Sequence, residues 1–113
     1  MPRNMSFAYT KEQIRNQTKT VTRRLGWRFL KKGDVLNAVE KAMGLKSGEK
    51  IKVLCQIRVK TRPRREQLSL ITEEEIRKEG FPGMTREEFI KKFTKANRCN
   101  ERTMVTRILF EYL

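Results

Sequence analysis

A chain of 113 residues is long enough for one small hydrophobic core and too short for two. Lysine and arginine number 27 against 13 aspartates and glutamates, a formal net charge of +14, which favours phosphate-rich or otherwise anionic partners without saying which. With no histidine, the sequence excludes histidine-based triads, imidazole proton shuttles and histidine-containing zinc sites, and leaves Lys, Thr, Glu, Tyr and Cys to carry any chemistry.

Cys55 and Cys99 lie far apart with no CxxC spacing, so no metal site is expected and nothing forces a disulfide. No secretory apolar region precedes the first strand-like run, and no run approaches a membrane span. The expectation is a reduced, cytoplasmic, monomeric protein without metal or cofactor.

Met5–Tyr9 reads as a short strand ending at Thr10. Thr10-x-x-Gln13 has the spacing of a capping box, with Tyr9 and Ile14 as its staple, and opens a short helix over Lys11–Asn16. Next comes Asn16-Gln17-Thr18-Lys19-Thr20-Val21-Thr22-Arg23-Arg24, rich in hydroxyls and cations. Gly26 breaks that segment, Trp27–Leu30 reads as a turn or short helix, and Lys31–Asp34 as a tight turn before a strand at Val35–Val39. Glu40–Lys50, with Gly44 and Gly48, reads as a connector.

Ile51–Val59 shows the clearest alternation, with Ile51, Val53, Cys55, Ile57 and Val59 inward and only Leu54 interrupting the polar face. Arg58, Lys60, Arg62 and Arg64 continue the polar side at roughly 6.6 Å intervals along an extended chain. They read either as a phosphate-tracking edge or as a charged edge strand blunted by Pro63. Thr72-x-x-Glu75 and Thr85-x-x-Glu88 open two further capped helices, the first ending at Gly80. Phe89, Ile90 and Phe93 form the apolar stripe of the second, and Lys91, Lys92 and Lys95 its solvated face. A polar loop over Asn97–Thr103 leads to a last strand, Met104–Tyr112, with Thr106, Ile108, Phe110 and Tyr112 on one face. The order predicts a single α+β domain over residues 1–113, built on a mostly antiparallel curved sheet or small barrel of about five to six strands with flanking short helices.

A turn between Lys19 and Thr22 would set an amine beside a hydroxyl, which activates a nucleophile or cradles a phosphate. A regular strand there would point the two side chains to opposite faces, and a merely polar turn would use its threonines to cap local backbone. Tyr9, Trp27 and Phe81 are either core aromatics or cleft walls, with Trp27 the best candidate wall.

Gln17-Thr18-Lys19-Thr20-Val21-Thr22-Arg23-Arg24, Lys32-Gly33-Asp34, Glu79-Gly80-Phe81 and the closing Ile108-Leu109-Phe110-Glu111-Tyr112 together resemble the ASCH domain of the PUA-like superfamily. The resemblance spans nearly the whole chain and implies a small β-barrel with flanking helices. One departure is visible: the family usually has Gly two residues before the motif Lys, where this chain has Gln17. Some members bind RNA through a basic cleft. A small bacterial subgroup of similar length hydrolyses N4-acetylcytidine with a Lys, a Thr and a Glu, which by motif position fall on Lys19, Thr22 and Glu79. Another member is a single-strand ribonuclease whose residue set does not map here. The resemblance therefore implies a basic cleft for RNA or a nucleotide-like ligand, contacted by Lys19, Thr20, Arg23, Arg24, Trp27, Arg58, Lys60, Arg62 and Arg64. Amide hydrolysis by Lys19, Thr22 and Glu79 is the alternative.

Overall fold

The computed structural model of the chain describes residues 2–41 and 45–113. Its elements are β1 (Arg3–Ser6), α1 (Lys11–Arg15), β2 (Val21–Arg24), β3 (Val35–Val39), β4 (Val53–Val59), β5 (Arg64–Gln67), a 3₁₀ turn (Leu68–Leu70), α2 (Glu73–Lys78), α3 (Arg86–Asn97) and β6 (Met104–Tyr112). The six strands curl into a half-barrel in the order β1-β3-β4-β6-β2, with β5 also paired to β6.

The longest strand organises this sheet because both of its edges are used. On one side β2 runs antiparallel to it, Val21 opposite Leu109 and Arg24 opposite Thr106. On the other, β4 and β5 follow one another along the same edge, Val59 opposite Phe110 and Arg64 opposite Arg107. Pro63 sits in the interruption between them, where no ladder hydrogen bond is asked of it. The sheet is antiparallel at four of its five pairings, and β1 alone runs parallel to its neighbour β3.

Strict alternation puts Ile108 and Phe110 of β6 into a core with Met5, Phe7, Ile14, Leu36, Ile57 and Val59. Val105, on the opposite face, joins a second core with Leu68, Ile71, Ile76 and Phe89 beneath α2 and α3. The expected strand at Ile51–Val59 is shorter at its start, and its alternation breaks. Ile51 and Val53 are exposed, whereas Ile57 and Val59 are buried. Ala38 pairs with Cys55 but Val39 pairs with Val53, so Leu54 is an extra residue, a bulge. The bulge flips the face presented beyond it, which is why Leu54 packs against the core and Val53 does not.

Three helix starts share a Thr, and they differ in outcome. Thr85 and Glu88 form the complete reciprocal box. Thr72 accepts from the Glu75 backbone N–H, but the Glu75 carboxylate turns away to Arg23 and Arg107. Thr10 makes no side-chain cap, and Gln13 does not reach back but donates its Nε2 to the Gly80 carbonyl, 3.1 Å away. The first strand also ends earlier than its sequence suggests, at Ser6, and Ala8 and Tyr9 form a turn closed by Thr10 N–H to Phe7 O. Asn97 belongs to α3, which ends at Arg98 in the left-handed conformation. The connector expected over residues 40–50 falls partly on residues 42–44, outside the described residues.

Between β2 and α2 lies a charged layer. Arg23 Nη2 donates to Glu66 of β5 at 3.0 Å and to Glu75 of α2 at 2.8 Å. Arg107 of β6 grips the same Glu75 in a two-pronged contact, Nε at 2.5 Å and Nη2 at 3.2 Å. Burial pushes the Glu75 carboxyl up, but the hydrogen bonds and charges of Arg107 and Arg23 outweigh it and hold the group at about 2.

Two expectations follow from this frame. A carboxyl held below its ordinary value of 4.5 contributes stability that is fully present above that pH and fades as pH falls toward 2. Urea titrations across that range should show wild-type stability falling steeply, and Glu75→Gln should flatten the slope while lowering stability at pH 7. Gly80 holds φ at 102°, and a Cβ there would stand 2.7 Å from Cγ of Gln13. Gly80→Ala should therefore cost about 1–3 kcal/mol in the same measurement.

Candidate functional site

The turn that delivers Lys19 is made by Gln17, which takes the left-handed conformation itself, φ 60°. Thr18 N–H and Oγ1 both reach Asn16 Oδ1, at 3.1 and 2.6 Å, and the N–H groups of Thr18 and Lys19 both point to Gln13 O. Thr20 then ties the chain into the sheet: its N–H donates to Lys78 O at 2.8 Å and its carbonyl accepts from Phe110 N–H at 3.0 Å. The Tyr112 hydroxyl donates to the Lys19 carbonyl at 2.5 Å. Regular strand begins only at Val21. Lys19 therefore escapes the alternation that would have opposed it to Thr22, and both side chains line one cavity.

That cavity, of about 220 Å³, opens between the turn after β1, strand β2, the end of α2 and one face of α3. Its polar side is Lys19, Thr22, Arg23, Arg24 and Glu79; its apolar side is Phe7, Phe81, Phe89 and Phe93. Tyr9 stands at the rim, 78% exposed.

Glu79 caps the C-terminus of α2 and is 3% exposed, so it is not the ordinary surface glutamate that a last helical turn usually carries. Lys19 Nζ donates to Glu79 Oε1 and to the Glu79 backbone carbonyl, both at 2.8 Å. The ammonium thus meets both a carboxylate and the negative end of a helix. Arg23 Nη1 takes the other carboxylate oxygen at 3.1 Å. Burial is the strongest influence on Lys19 and pulls its pKa below the ordinary 10.5 against the attraction of Glu79, with Arg24 and Arg23 pulling the same way as burial.

Arg24 Nε donates to Thr22 Oγ1 at 3.2 Å, and its guanidinium lies 4.7 Å from the centre of the Phe7 ring. Burial lowers its pKa to about 10, opposed by Glu79. Because the threonine oxygen accepts that bond, its own proton remains available to a base.

The other residues singled out from the sequence lie elsewhere. Trp27 does not wall the cavity; it packs against the first core and tilts onto Phe29, ring centres 5.5 Å apart. Thr20 contributes backbone only. Arg58 faces Glu111 across β4 and β6 at 3.6 Å, and Lys60, Arg62 and Arg64 are exposed on a stretch that does not line the cavity. Lys92, read as part of a solvated face, is indeed exposed. It lines the cavity, with Nζ 4.4 Å from the Phe81 ring centre. Its position was available from spacing, since residue 92 follows Phe89 by one helical turn and shares its face. Among the described residues no group of three or more His, Cys, Asp or Glu could hold a metal ion, and no helix is long and apolar enough to cross a membrane.

No protein-family model and no curated protein sequence matches this chain. Among solved structures, the hypothetical protein PH0355 is 21% identical and superposes with a TM-score of 0.68 over 100% of both chains. Protein EF3133 from Enterococcus faecalis V583, of family DUF984, is 15% identical with a TM-score of 0.62, over 100% of this chain and 76% of its own. At such identities the likeness speaks for the fold: an α+β half-barrel is an arrangement these proteins share.

Proposed function

We propose that the cavity binds a nucleobase or nucleotide-like ligand, free or as one residue of an RNA strand, in a domain of the ASCH type. The observation that carries this reading is the convergence of Lys19, Thr22 and Glu79, the three positions matching the family motif, on one aromatic-walled cavity. A pocket of about 220 Å³ suits one planar ring and its substituents better than a length of polymer. Phe81 and Tyr9 offer faces for stacking, and Lys19 and Thr22 offer donors for ring carbonyls and nitrogens.

A second reading, amide hydrolysis of N4-acetylcytidine, is favoured by one detail: the Thr22 hydroxyl accepts from Arg24 and keeps its proton to give. Thr22 Oγ would attack the acetyl carbonyl carbon while Lys19, in its neutral form, takes the hydroxyl proton. The C–N bond then breaks as the proton passes to the departing cytosine amine, leaving the acetyl group on Thr22. Water, giving its proton to Lys19, releases acetate and restores the hydroxyl. Glu79 orients the Lys19 amine and supplies the charge that balances its protonated form.

Ultraviolet-monitored hydrolysis of N4-acetylcytidine, run beside calorimetric binding of the same compound, separates the two. With catalysis, Lys19→Met should lower turnover about 10²–10⁴-fold, and Thr22→Val should abolish it while binding survives. The rate should climb with pH and level off below 10.5, because the active lysine is the deprotonated one and its pKa is depressed. Binding without turnover would remove the hydrolase reading and leave the pocket. Neither binding nor turnover of this compound or of unmodified nucleosides and nucleotides would remove both.

A further inference from the structure

We infer that the cavity holds an anion subsite, built from Arg24 and Lys92, that selects a phosphorylated nucleotide over the bare nucleoside. This rests on the ligand reading above and narrows it.

Positive charge is in excess inside the cavity. Four cationic side chains line the cavity, Lys19, Arg23, Arg24 and Lys92, against a single carboxylate, Glu79. That carboxylate is fully engaged, one oxygen by Lys19 and the other by Arg23. Arg23 is further neutralised by Glu66 and Glu75. Arg24 and Lys92 are left over: among the described residues neither forms an ion pair with any carboxylate.

Arg24 is the more telling of the two. Its Nε is committed to Thr22 and its guanidinium lies over Phe7, so the group is fixed in direction while, among the described residues, its two terminal nitrogens enter no hydrogen bond. Burial disfavours the charged guanidinium and Glu79 offsets this only from beyond ion-pair distance, so a ligand anion would complete the arrangement. Two free N–H-bearing nitrogens in one plane match the oxygens of a phosphate.

Lys92 approaches from α3, with its amine held near the Phe81 ring, and Lys19 Nζ lies 6.0 Å from the same ring centre. A base against Phe81 would lie beside Lys92, in the cavity that Arg24 and the Lys19–Glu79 pair also line. A sugar joined to it carries its phosphate toward cations that have nothing else to neutralise.

The test is calorimetry at 50 mM and 500 mM salt with the four 5′-ribonucleoside monophosphates, the four nucleosides, and inorganic phosphate alone. At least one monophosphate should bind about tenfold more tightly than its nucleoside at low salt, with the advantage shrinking at high salt. Lys92→Gln, a change on an exposed helix face, should narrow that ratio several-fold, and Arg24→Gln should narrow it further. Equal affinity for a nucleoside and its monophosphate would overturn the subsite and leave the pocket reading standing. Inorganic phosphate binding as tightly as every nucleotide would overturn the nucleotide assignment in favour of a bare anion site. Failure of all nucleosides and nucleotides to bind would overturn the inference together with the reading beneath it.

Discussion

The site depends on one carboxylate shared by two cations that arrive from the same strand region. Glu79 reaches it because α2 ends there, and α2 ends there because Gly80 turns the chain at a φ of 102°. Lys19 reaches it because the turn at Gln17 holds the chain out of regular strand until Val21. Arg23 reaches it from inside β2, buried on a strand that β6 fixes in register. Removing one member of so buried a set strands the others without counter-charge, at a cost of about 3–5 kcal/mol. The joint between α2 and the sheet and the chemistry of the cavity are therefore the same interaction.

That interaction belongs to a larger set with its own balance. Lys19, Arg23 and Arg107 contribute three positive charges and Glu66, Glu75 and Glu79 three negative, all contacts at 3.2 Å or less. A neutral, hydrogen-bonded layer can be buried where an unbalanced one cannot. The chain's net charge of +14 lies outside this layer, in side chains that are either exposed or, like Arg24, turned toward the cavity. The same bookkeeping shows why Lys19 is unlike an ordinary ion-paired lysine: Glu79 alone would raise its pKa, and burial beside two guanidinium groups reverses the sign.

What the sequence made legible was local. The alternation of Met104–Tyr112 and Val35–Val39 maps directly onto strands with those bounds, and the Thr85 box forms as its spacing requires. Features that depend on a distant partner were not legible. Leu54 looked like a flaw in the polar face of a strand, yet it marks the bulge, which only pairing with β3 defines. Gln13 had the spacing of a capping residue, but the Gly80 carbonyl, 67 positions away, claims its amide. Glu75 was similarly drawn off its box by arginines from β2 and β6. Lys19 and Thr22 stood out by their spacing, which left a turn and a strand both open, and the resemblance added Glu79. Lys92 is exposed like its lysine neighbours, and its place beside the cavity, one turn after Phe89, becomes visible once Phe81 approaches it.

The exposed cations on and beyond β4 stand apart from the cavity. Arg58, Lys60, Arg62 and Arg64 lie away from the cavity and touch nothing in it. Exposed charges of this kind give weak individual contacts in salt water, but their summed field draws anions toward the whole molecule. Such a field cannot tell one phosphate from another. Discrimination falls to groups that are oriented and partly shielded from water, where each unpaired charge counts for more. In the proposed subsite Arg24, set by Thr22 and Phe7, is such a group, and the exposed Lys92 beside Phe81 would add its charge. A surplus of surface charge would bring an anionic ligand close, and Arg24 with Lys92 would decide which part of it faces the Lys19–Glu79 pair.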